Sequence, residues 1–167
     1  MPIPTWSVGQ VLAASDVNNW FVPVTVVKPT DTARSNTTSM TNDPDLALTL
    51  QGSATYMISG VIFYDGPSAG SSDIQWTFNP PTGAAGKYWC ARQNLSGAYA
   101  GAFTFFWTDT VTANTNGVSS NMVVPVTGIL AMGSSSGVLH FLWSQNTSNG
   151  TNTHVQNNSF LTAQRIA

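Results

Sequence analysis

The apolar residues of the chain fall into short runs rich in aromatic and β-branched side chains, and Gly, Pro, Asn and Ser separate these runs. Runs of this kind are typical of β-strands, in which successive side chains point to opposite faces. Breaks such as "NPPTGAAG" and "GSSSG" have the composition of turns. The pattern predicts nine strands, at residues 24–28, 46–50, 55–64, 73–78, 88–93, 102–107, 122–131, 138–145 and 160–166. Nine short strands predict an all-β protein built as a single jelly-roll β-sandwich.

The first residues follow a different pattern. In "LAASDVNNWF", Ser15 is a suitable N-cap, and Val17, Trp20 and Phe21 lie three and four residues apart, on one face of a helix. Pro23 ends the helix. A helix of two turns is not stable alone in water, so it must pack against its own domain or against a partner.

The chain therefore divides into two parts, with no internal repeat and no linker between them. Residues 1–23 form an N-terminal segment with a short helix, and residues 24–167 form the β-sandwich. We predict that the N-terminal segment attaches the protein to a larger assembly. The predicted attachment residues are Trp6, Val17, Trp20 and Phe21.

Several predicted strands are apolar on both faces. In "VLHFLWSQ", Leu139 and Phe141 lie on one face, and Leu142 lies on the other beside His140. One face of such a strand fills the core, and the other is covered economically by another subunit. The pattern thus predicts self-association, and frequency alone favours a dimer. The predicted interface residues are Phe63, Phe106, His140 and Leu142.

The composition limits the partners. Only 7% of the 167 residues are charged, the net charge is −2, and glutamate is absent. The few Lys and Arg side chains cannot neutralise many phosphates. We therefore expect that the protein binds neither nucleic acid nor a membrane surface. No apolar run approaches the roughly 18 residues of a membrane-spanning helix.

Cysteine occurs once, at Cys90, so an intrachain disulfide is impossible. This fits synthesis in a reducing cytoplasm. The Thr, Ser and Asn content, in contrast, is typical of an extracellular surface. We therefore expect a component of a virion that is made in the cytoplasm of the host.

Candidate metal and catalytic residues are few. Asp43 and Asp45 are spaced for a calcium loop, but a turn at Pro44 explains them equally well. Asp65 and Asp73 flank one loop, where turn aspartates are more common than an acid–base pair. We expect no metal, no cofactor and no enzymatic activity, and we keep a secreted β-sandwich hydrolase as a remote alternative.

Carbohydrate binding is the stronger alternative. Sugars stack on aromatic rings and accept hydrogen bonds from amides. Trp89, Tyr99 and Trp107 lie near predicted loops and are candidate glycan contacts. Aromatic residues on strands are more often core or interface residues, which favours a structural role.

The motifs resemble those of small virion proteins from tailed phages of actinobacteria. The opening "TWSVGQVLAASDVNNWFVPV" and the tail "GVLHFLWSQNTSNGTNTHVQNNSFLTAQRI" carry this resemblance, and "SATYMISGVIFYDGP" and "DIQWTFNPPTGA" follow the same plan. Such proteins are described as minor tail proteins or head decorations, and their domain is similar to the jelly rolls of the tumour-necrosis-factor and C1q type, which are commonly trimers. The resemblance implies a non-enzymatic structural protein on a phage surface, in contact with capsid or tail proteins and assembled as a homotrimer. A glycan-binding module for host adsorption is the alternative.

Overall fold

The computed structural model describes residues 6–68, 73–93 and 99–167. Within these ranges, one helix, α1, precedes twelve strands. The elements are α1 Ala14–Phe21, β1 Val24–Val27, β2 Thr32–Arg34, β3 Thr41–Leu50, β4 Thr55–Gly66, β5 Ile74–Asn79, β6 Ala85–Gln93, β7 Tyr99–Phe106, β8 Val111–Ala113, β9 Gly117–Ala131, β10 Gly137–Gln145, β11 Thr153–Val155 and β12 Phe160–Arg165.

The strands form two sheets, and every pair of neighbouring strands is antiparallel. The eight-stranded sheet has the order β1-β12-β4-β9-β6-β7, and β11 and β2 extend it beside β4. The four-stranded sheet has the order β3-β10-β5-β8. The protein is thus an all-β sandwich of two sheets, as the apolar pattern predicts.

The core lies between the sheets and consists of alternate residues from both. In β10, Leu139, Phe141 and Trp143 are fully buried, as the alternation predicts. Phe78 lies at the centre of an aromatic cluster and contacts Tyr88 and Trp107 edge-to-face, with ring centroids 5.2 and 5.0 Å apart. Such edge-to-face pairs add to the free energy gained by burial alone.

The structure differs from the predicted strands at several places. β2, β8 and β11 were not predicted, and each has only three residues, too few to show a period of two. β3 begins at Thr41 and so includes Asp43 and Pro44, where the sequence suggests a turn. The register between β3 and β10 shifts at this point, so the segment is an irregular part of a strand.

Helix α1 packs on the end of the sandwich through Trp20. The backbone oxygen of Trp20 accepts a hydrogen bond from Gln164 Nε2 at 2.9 Å. The centroid of the Trp20 ring lies 4.0 Å from the guanidinium carbon of Arg165. Among the described residues, no helix is both long enough and apolar enough to cross a bilayer.

Candidate functional site

The face of the eight-stranded sheet that points away from the core carries large apolar side chains. In β4, Ile58 and Ile62 are buried in the core, whereas Met57, Val61 and Phe63 alternate with them and point outward. The register continues this arrangement across the sheet, because each outward residue of β4 pairs with an outward residue of β9. The apolar pairs are Met57 with Ile129, Val61 with Pro125 and Phe63 with Val123, and the polar pair Ser59 with Thr127 lies between the first two.

The next two strands extend the same surface. Ile129 also pairs with Lys87 of β6, and Lys87 pairs with Phe106 of β7. Trp89, two residues after Lys87, points to the same side. We call this surface the apolar patch; its residues are Met57, Val61, Phe63, Trp89, Phe106, Val123 and Ile129.

The exposure of the patch is large for residues of this type. The exposed fractions are Met57 43%, Trp89 41%, Phe106 57%, Val123 50% and Ile129 44%. These five side chains together present about 400 Å² of apolar surface. The largest apolar patch of a typical monomer has about 300–600 Å² and is often functional, so this surface is a candidate interaction site.

One positive charge lies within the patch. Lys87 Nζ lies 4.8 Å from the centroid of the Phe106 ring, on its face. A lysine in this position covers the ring with its aliphatic stem and keeps its ammonium group in contact with the π system. The outward face is mainly apolar but also carries the hydroxyl side chains of Ser59, Thr127 and Thr104, which lie in the same row as Trp89. The cation of the patch lies against an aromatic ring.

The four predicted interface residues lie on two different surfaces. Phe63 and Phe106 belong to the apolar patch, but His140 and Leu142 lie on β10, in the opposite sheet. His140 and Leu142 alternate with buried core residues and so point outward on the far side of the sandwich, half-buried. If each copy used these two opposite surfaces to contact its neighbours, the copies would stack into an open array. In a closed ring, both contact surfaces of each copy must be inclined toward the symmetry axis.

The three candidate glycan contacts do not form a platform. Trp107 is 2% exposed, packs against Phe78 and Tyr88, and donates its indole N–H to the backbone oxygen of Ile129 at 2.9 Å. Trp107 is therefore a core residue, and the prediction of a glycan contact there is wrong. The side chain of Tyr99 lies outside the described residues, and Trp89 is exposed on the apolar patch.

The predicted attachment residues divide into two groups. Trp20 is half-buried against β12, as described above. Phe21 is 62% exposed and Val17 38% exposed, and the Phe21 ring meets Trp6 edge-to-face with centroids 6.5 Å apart. The sequence places Val17, Trp20 and Phe21 on one face, but in the structure Trp20 contacts the domain while the other two remain available to a partner.

The aspartate pair considered as a calcium loop already holds a cation. Lys28 Nζ lies 3.0 Å from Asp43 Oδ1 and 2.8 Å from Asp45 Oδ2. The ammonium group of Lys28 takes the place that the calcium hypothesis gave to a metal ion. Among the described residues, no three His, Cys, Asp or Glu side chains are grouped so that they could hold a metal.

The aspartates considered for hydrolysis each have separate structural partners. Asp65 accepts hydrogen bonds from the backbone of Ser119 at 2.8 Å and from Gln156 Nε2 at 3.1 Å, and it pairs with His154 Nδ1 at 2.5 Å. Asp73 accepts a hydrogen bond from the backbone of Thr115 at 3.2 Å. These contacts connect strands and loops, and they give neither carboxylate the role of an acid–base partner of the other.

Three ionisable groups of the core are held neutral by burial. Desolvation raises the pKa of the Cys90 thiol to about 12, and Cys90 is fully buried. Desolvation also raises the pKa values of Tyr64 and Tyr88. A buried thiol with a raised pKa is unreactive, so Cys90 is a structural residue.

Sequence reasoning missed two features of these surfaces. The first is the pairing of Lys28 with two aspartates of the other sheet. Nothing in the local sequence, a single lysine after two valines, predicts this pairing. The second is the outward position of Ile129 at the centre of the apolar patch. The alternation along β9 could have found it, because Val124, Val126 and Leu130 are buried.

Comparisons with known proteins identify no family for this chain. No protein-family model matches the chain, and no curated protein matches it in sequence. Weak structural similarity exists to virus-particle proteins of infectious bursal disease virus. The identity is 6% and the TM-score 0.24 for the Gt strain, over 86% of this chain; the values are 7% and 0.23 for the Gx strain, over 97%, and 9% and 0.22 for the VP2 subviral particle, over 99%.

The chain spans less than half the length of these virus chains, 42%, 43% and 47% of them in the same order. At such TM-scores and identities, the similarity carries no argument about function.

Proposed function

We propose that the protein is a non-enzymatic structural component of a virion surface, of the minor tail or capsid decoration type of a tailed phage, and that it assembles as a homotrimer. The observation that carries this proposal is the apolar patch on the outer face of the eight-stranded sheet. Association would remove about 400 Å² of exposed apolar side chains from water on a protein with few charged residues, and this gain supports the proposal.

We propose further that the sandwich is a jelly roll. The support is the path of the chain, which changes sheet at every connection from β2 to β11 except the one between β6 and β7. Alternation of consecutive strands between two antiparallel sheets is the arrangement of jelly rolls, and viral capsid domains commonly use it. The β6–β7 hairpin is then an insertion that widens one sheet.

The shape of the patch is compatible with a ring of three. A ring uses two different surfaces on each copy, one for each neighbour. The patch has two such halves, one on β4 around Met57 and Phe63 and one on the β6–β7 hairpin around Trp89 and Phe106. If both halves of the patch face the symmetry axis of the ring, each copy contacts both of its neighbours. The apolar patch of every copy is then buried. The number three itself comes from the resemblance to trimeric jelly rolls.

The exposed side of the N-terminal segment supports a role in attachment. Val8, Val11 and Phe21 are strongly exposed, although apolar residues in a segment of this size normally seek cover. A capsid or tail protein that covers these residues would gain their burial, and it would leave the trimer face free.

The oligomeric state tests the proposal. Native mass spectrometry and light scattering on the wild-type protein at micromolar concentration should show trimers. Ile129→Lys places a charge at the centre of the patch and should weaken each contact at least about 30-fold, because about 2 kcal/mol of burial is lost.

Asn152→Lys is the matched control, since Asn152 is exposed in the loop between β10 and β11 and gains the same charge. It should remain trimeric. A wild-type protein that is monomeric at micromolar concentration overturns the association, whereas a dimer overturns only the number of subunits.

Glycan binding is the second candidate, and the exposed ring of Trp89 favours it. A glycan array with the wild-type protein and Trp89→Ala decides between the two. Binding that disappears in the Ala variant supports adsorption to the host, and an array without signal leaves the structural role.

A further inference from the structure

Lys28 is buried completely, which is rare for a lysine. Its backbone is fixed on both sides, because its N–H donates to Ser159 at 2.8 Å and its oxygen accepts from Asn158 at 2.9 Å. Its ammonium group has three partners, which are Thr32 Oγ1 at 2.6 Å, Asp43 Oδ1 at 3.0 Å and Asp45 Oδ2 at 2.8 Å. The nitrogen is thus held against two carboxyl groups without access to solvent.

Asp43 is equally enclosed, and each of its oxygens is bound differently. Its side chain is 0% exposed. Oδ2 accepts a hydrogen bond from the indole nitrogen of Trp143 at 3.0 Å. Oδ1 accepts hydrogen bonds from the backbone N–H groups of Asp45 at 3.1 Å and Leu46 at 3.2 Å. Donors directed at a carboxyl group in a site without water stabilise negative charge that develops on its oxygens.

Asp45 differs from Asp43 because its side chain is 27% exposed. It contacts the same ammonium group from the second side. A carboxylate in this position can take a proton from the nitrogen and release it to a leaving oxygen.

We propose that Lys28 and Asp43 form an intramolecular isopeptide bond, with Asp45 as the proton carrier. The ammonium group first gives a proton to the carboxylate of Asp43, which produces the neutral amine and the neutral acid that the reaction requires. The Lys28 nitrogen then attacks Cγ of Asp43. Asp45 accepts a proton from that nitrogen and returns it to the departing hydroxyl.

The atoms and charges balance in this step. One Nζ–Cγ bond forms, one Cγ–O bond breaks, and one water molecule leaves. Asp45 ends as the carboxylate that it was at the start. The oxygen bound to the Trp143 indole remains as the amide oxygen. The reaction needs no oxidant, metal or second protein, because the two groups are already held together.

The position of the bond gives it a structural use. Lys28 follows β1 of the eight-stranded sheet, and Asp43 lies in β3 of the four-stranded sheet. The bond would join the two sheets covalently in a chain whose single cysteine excludes a disulfide.

The mass of the purified wild-type chain tests the proposal. Under denaturing conditions, the chain should be lighter than its sequence, with or without Met1, by one water molecule. The Lys and Arg residues place Lys28 in tryptic peptide 1–34 and Asp43 in peptide 35–87. These two peptides should remain joined, and fragmentation should place the branch between Lys28 and Asp43.

A chain with its full mass overturns the proposal and leaves a buried ion pair. Loss of water with peptides 1–34 and 35–87 separate also overturns it. Such a result would indicate cyclisation within one peptide, for example at Asp65–Gly66.

Two variants test the roles of the residues. Lys28→Arg keeps a cation but lacks the reactive amine, so it should show full mass. Asp45→Asn keeps both reacting groups and should slow the bond formation at least tenfold over a time course from fresh protein. Circular dichroism establishes that each variant is folded, and the wild-type peptide map decides the proposal if a variant fails to fold. A folded Asp45→Asn variant that reacts at the wild-type rate removes Asp45 from the mechanism.

Discussion

Removal of residues 1–22 separates attachment from folding. The contacts of this segment with the sandwich are concentrated at Trp20. Its ring interacts with the Arg165 guanidinium at 4.0 Å, and its backbone oxygen accepts one hydrogen bond from Gln164. Such a cation–π contact contributes about 0.5–1 kcal/mol, and the hydrogen bond about 0.5–1.5 kcal/mol.

Partial burial of the Trp20 ring adds about 1 kcal/mol, since full burial of a large apolar side chain stabilises by about 1.5–3 kcal/mol. The sum is about 2–3.5 kcal/mol. A domain of this size has a free energy of unfolding of about 5–15 kcal/mol, so the truncated protein should remain folded. Its melting temperature should fall by roughly 5–10 °C.

Urea unfolding followed by far-ultraviolet circular dichroism measures this difference without relying on the tryptophans that the truncation removes. Two single variants of the full chain act as matched controls. Trp20→Ala should reproduce most of the loss in stability, whereas Phe21→Ala should change it by less than about 0.5 kcal/mol because Phe21 is mostly exposed.

The attachment hypothesis adds a second readout. Particles assembled with the Phe21→Ala variant or with the truncated protein should contain fewer copies of this protein than particles assembled with the wild type. If the truncation unfolds the domain or removes more than about 5 kcal/mol, the segment is a part of the sandwich and the reasoning is refuted. Normal incorporation of the truncated protein into particles would refute attachment alone.

Two further predictions concern the core. Gly128→Ala should lower the free energy of unfolding by about 3 kcal/mol or more, because the new Cβ would lie 2.5–2.6 Å from atoms of the neighbouring strand β6; Gly150→Ala, with no atom nearer than 3.9 Å, should be neutral in the same urea titration. Stability should also fall as the pH rises from 9.0 to about 12, because Cys90 keeps its proton in the folded state while the unfolded chain loses it. Tyr64 and Tyr88 add to this loss above pH 10.0, each with a slope of roughly 1 kcal/mol per pH unit, and unchanged stability at pH 11 would contradict their burial.

The sequence predicts the bounds of a strand well where its side chains show a clear period of two. β4, β10 and β12 lie within two residues of their predicted bounds, whereas β3 and β9 begin at Thr41 and Gly117 and not at the predicted residues 46 and 122. The three-residue strands β2, β8 and β11 have no visible period, and only their long-range partners define them. The order of the strands in the sheets likewise depends on contacts between distant segments.

The candidate surface was predictable only in part, for a physical reason. Alternation shows that Phe63 and Leu142 both point away from the core, but not which sheet each belongs to. The burial of Trp107 depends on the aromatic cluster and on the backbone of Ile129, more than 20 residues away. The pairing of Lys28 with Asp43 joins two sheets, and no local pattern encodes it.

The place where the N-terminal segment joins the sandwich also determines how the protein carries a mechanical load. A pull on that segment acts first on β1, a four-residue strand at the edge of the sheet that is paired only with β12 along the strand order. Edge strands pulled from one end detach one hydrogen bond after another, with low resistance. The next residue along the chain is Lys28, which is anchored through its backbone to residues 158 and 159 and through its side chain to Asp43 and Asp45. Tension from a particle would therefore be transferred at Lys28 from one short strand to both sheets of the sandwich.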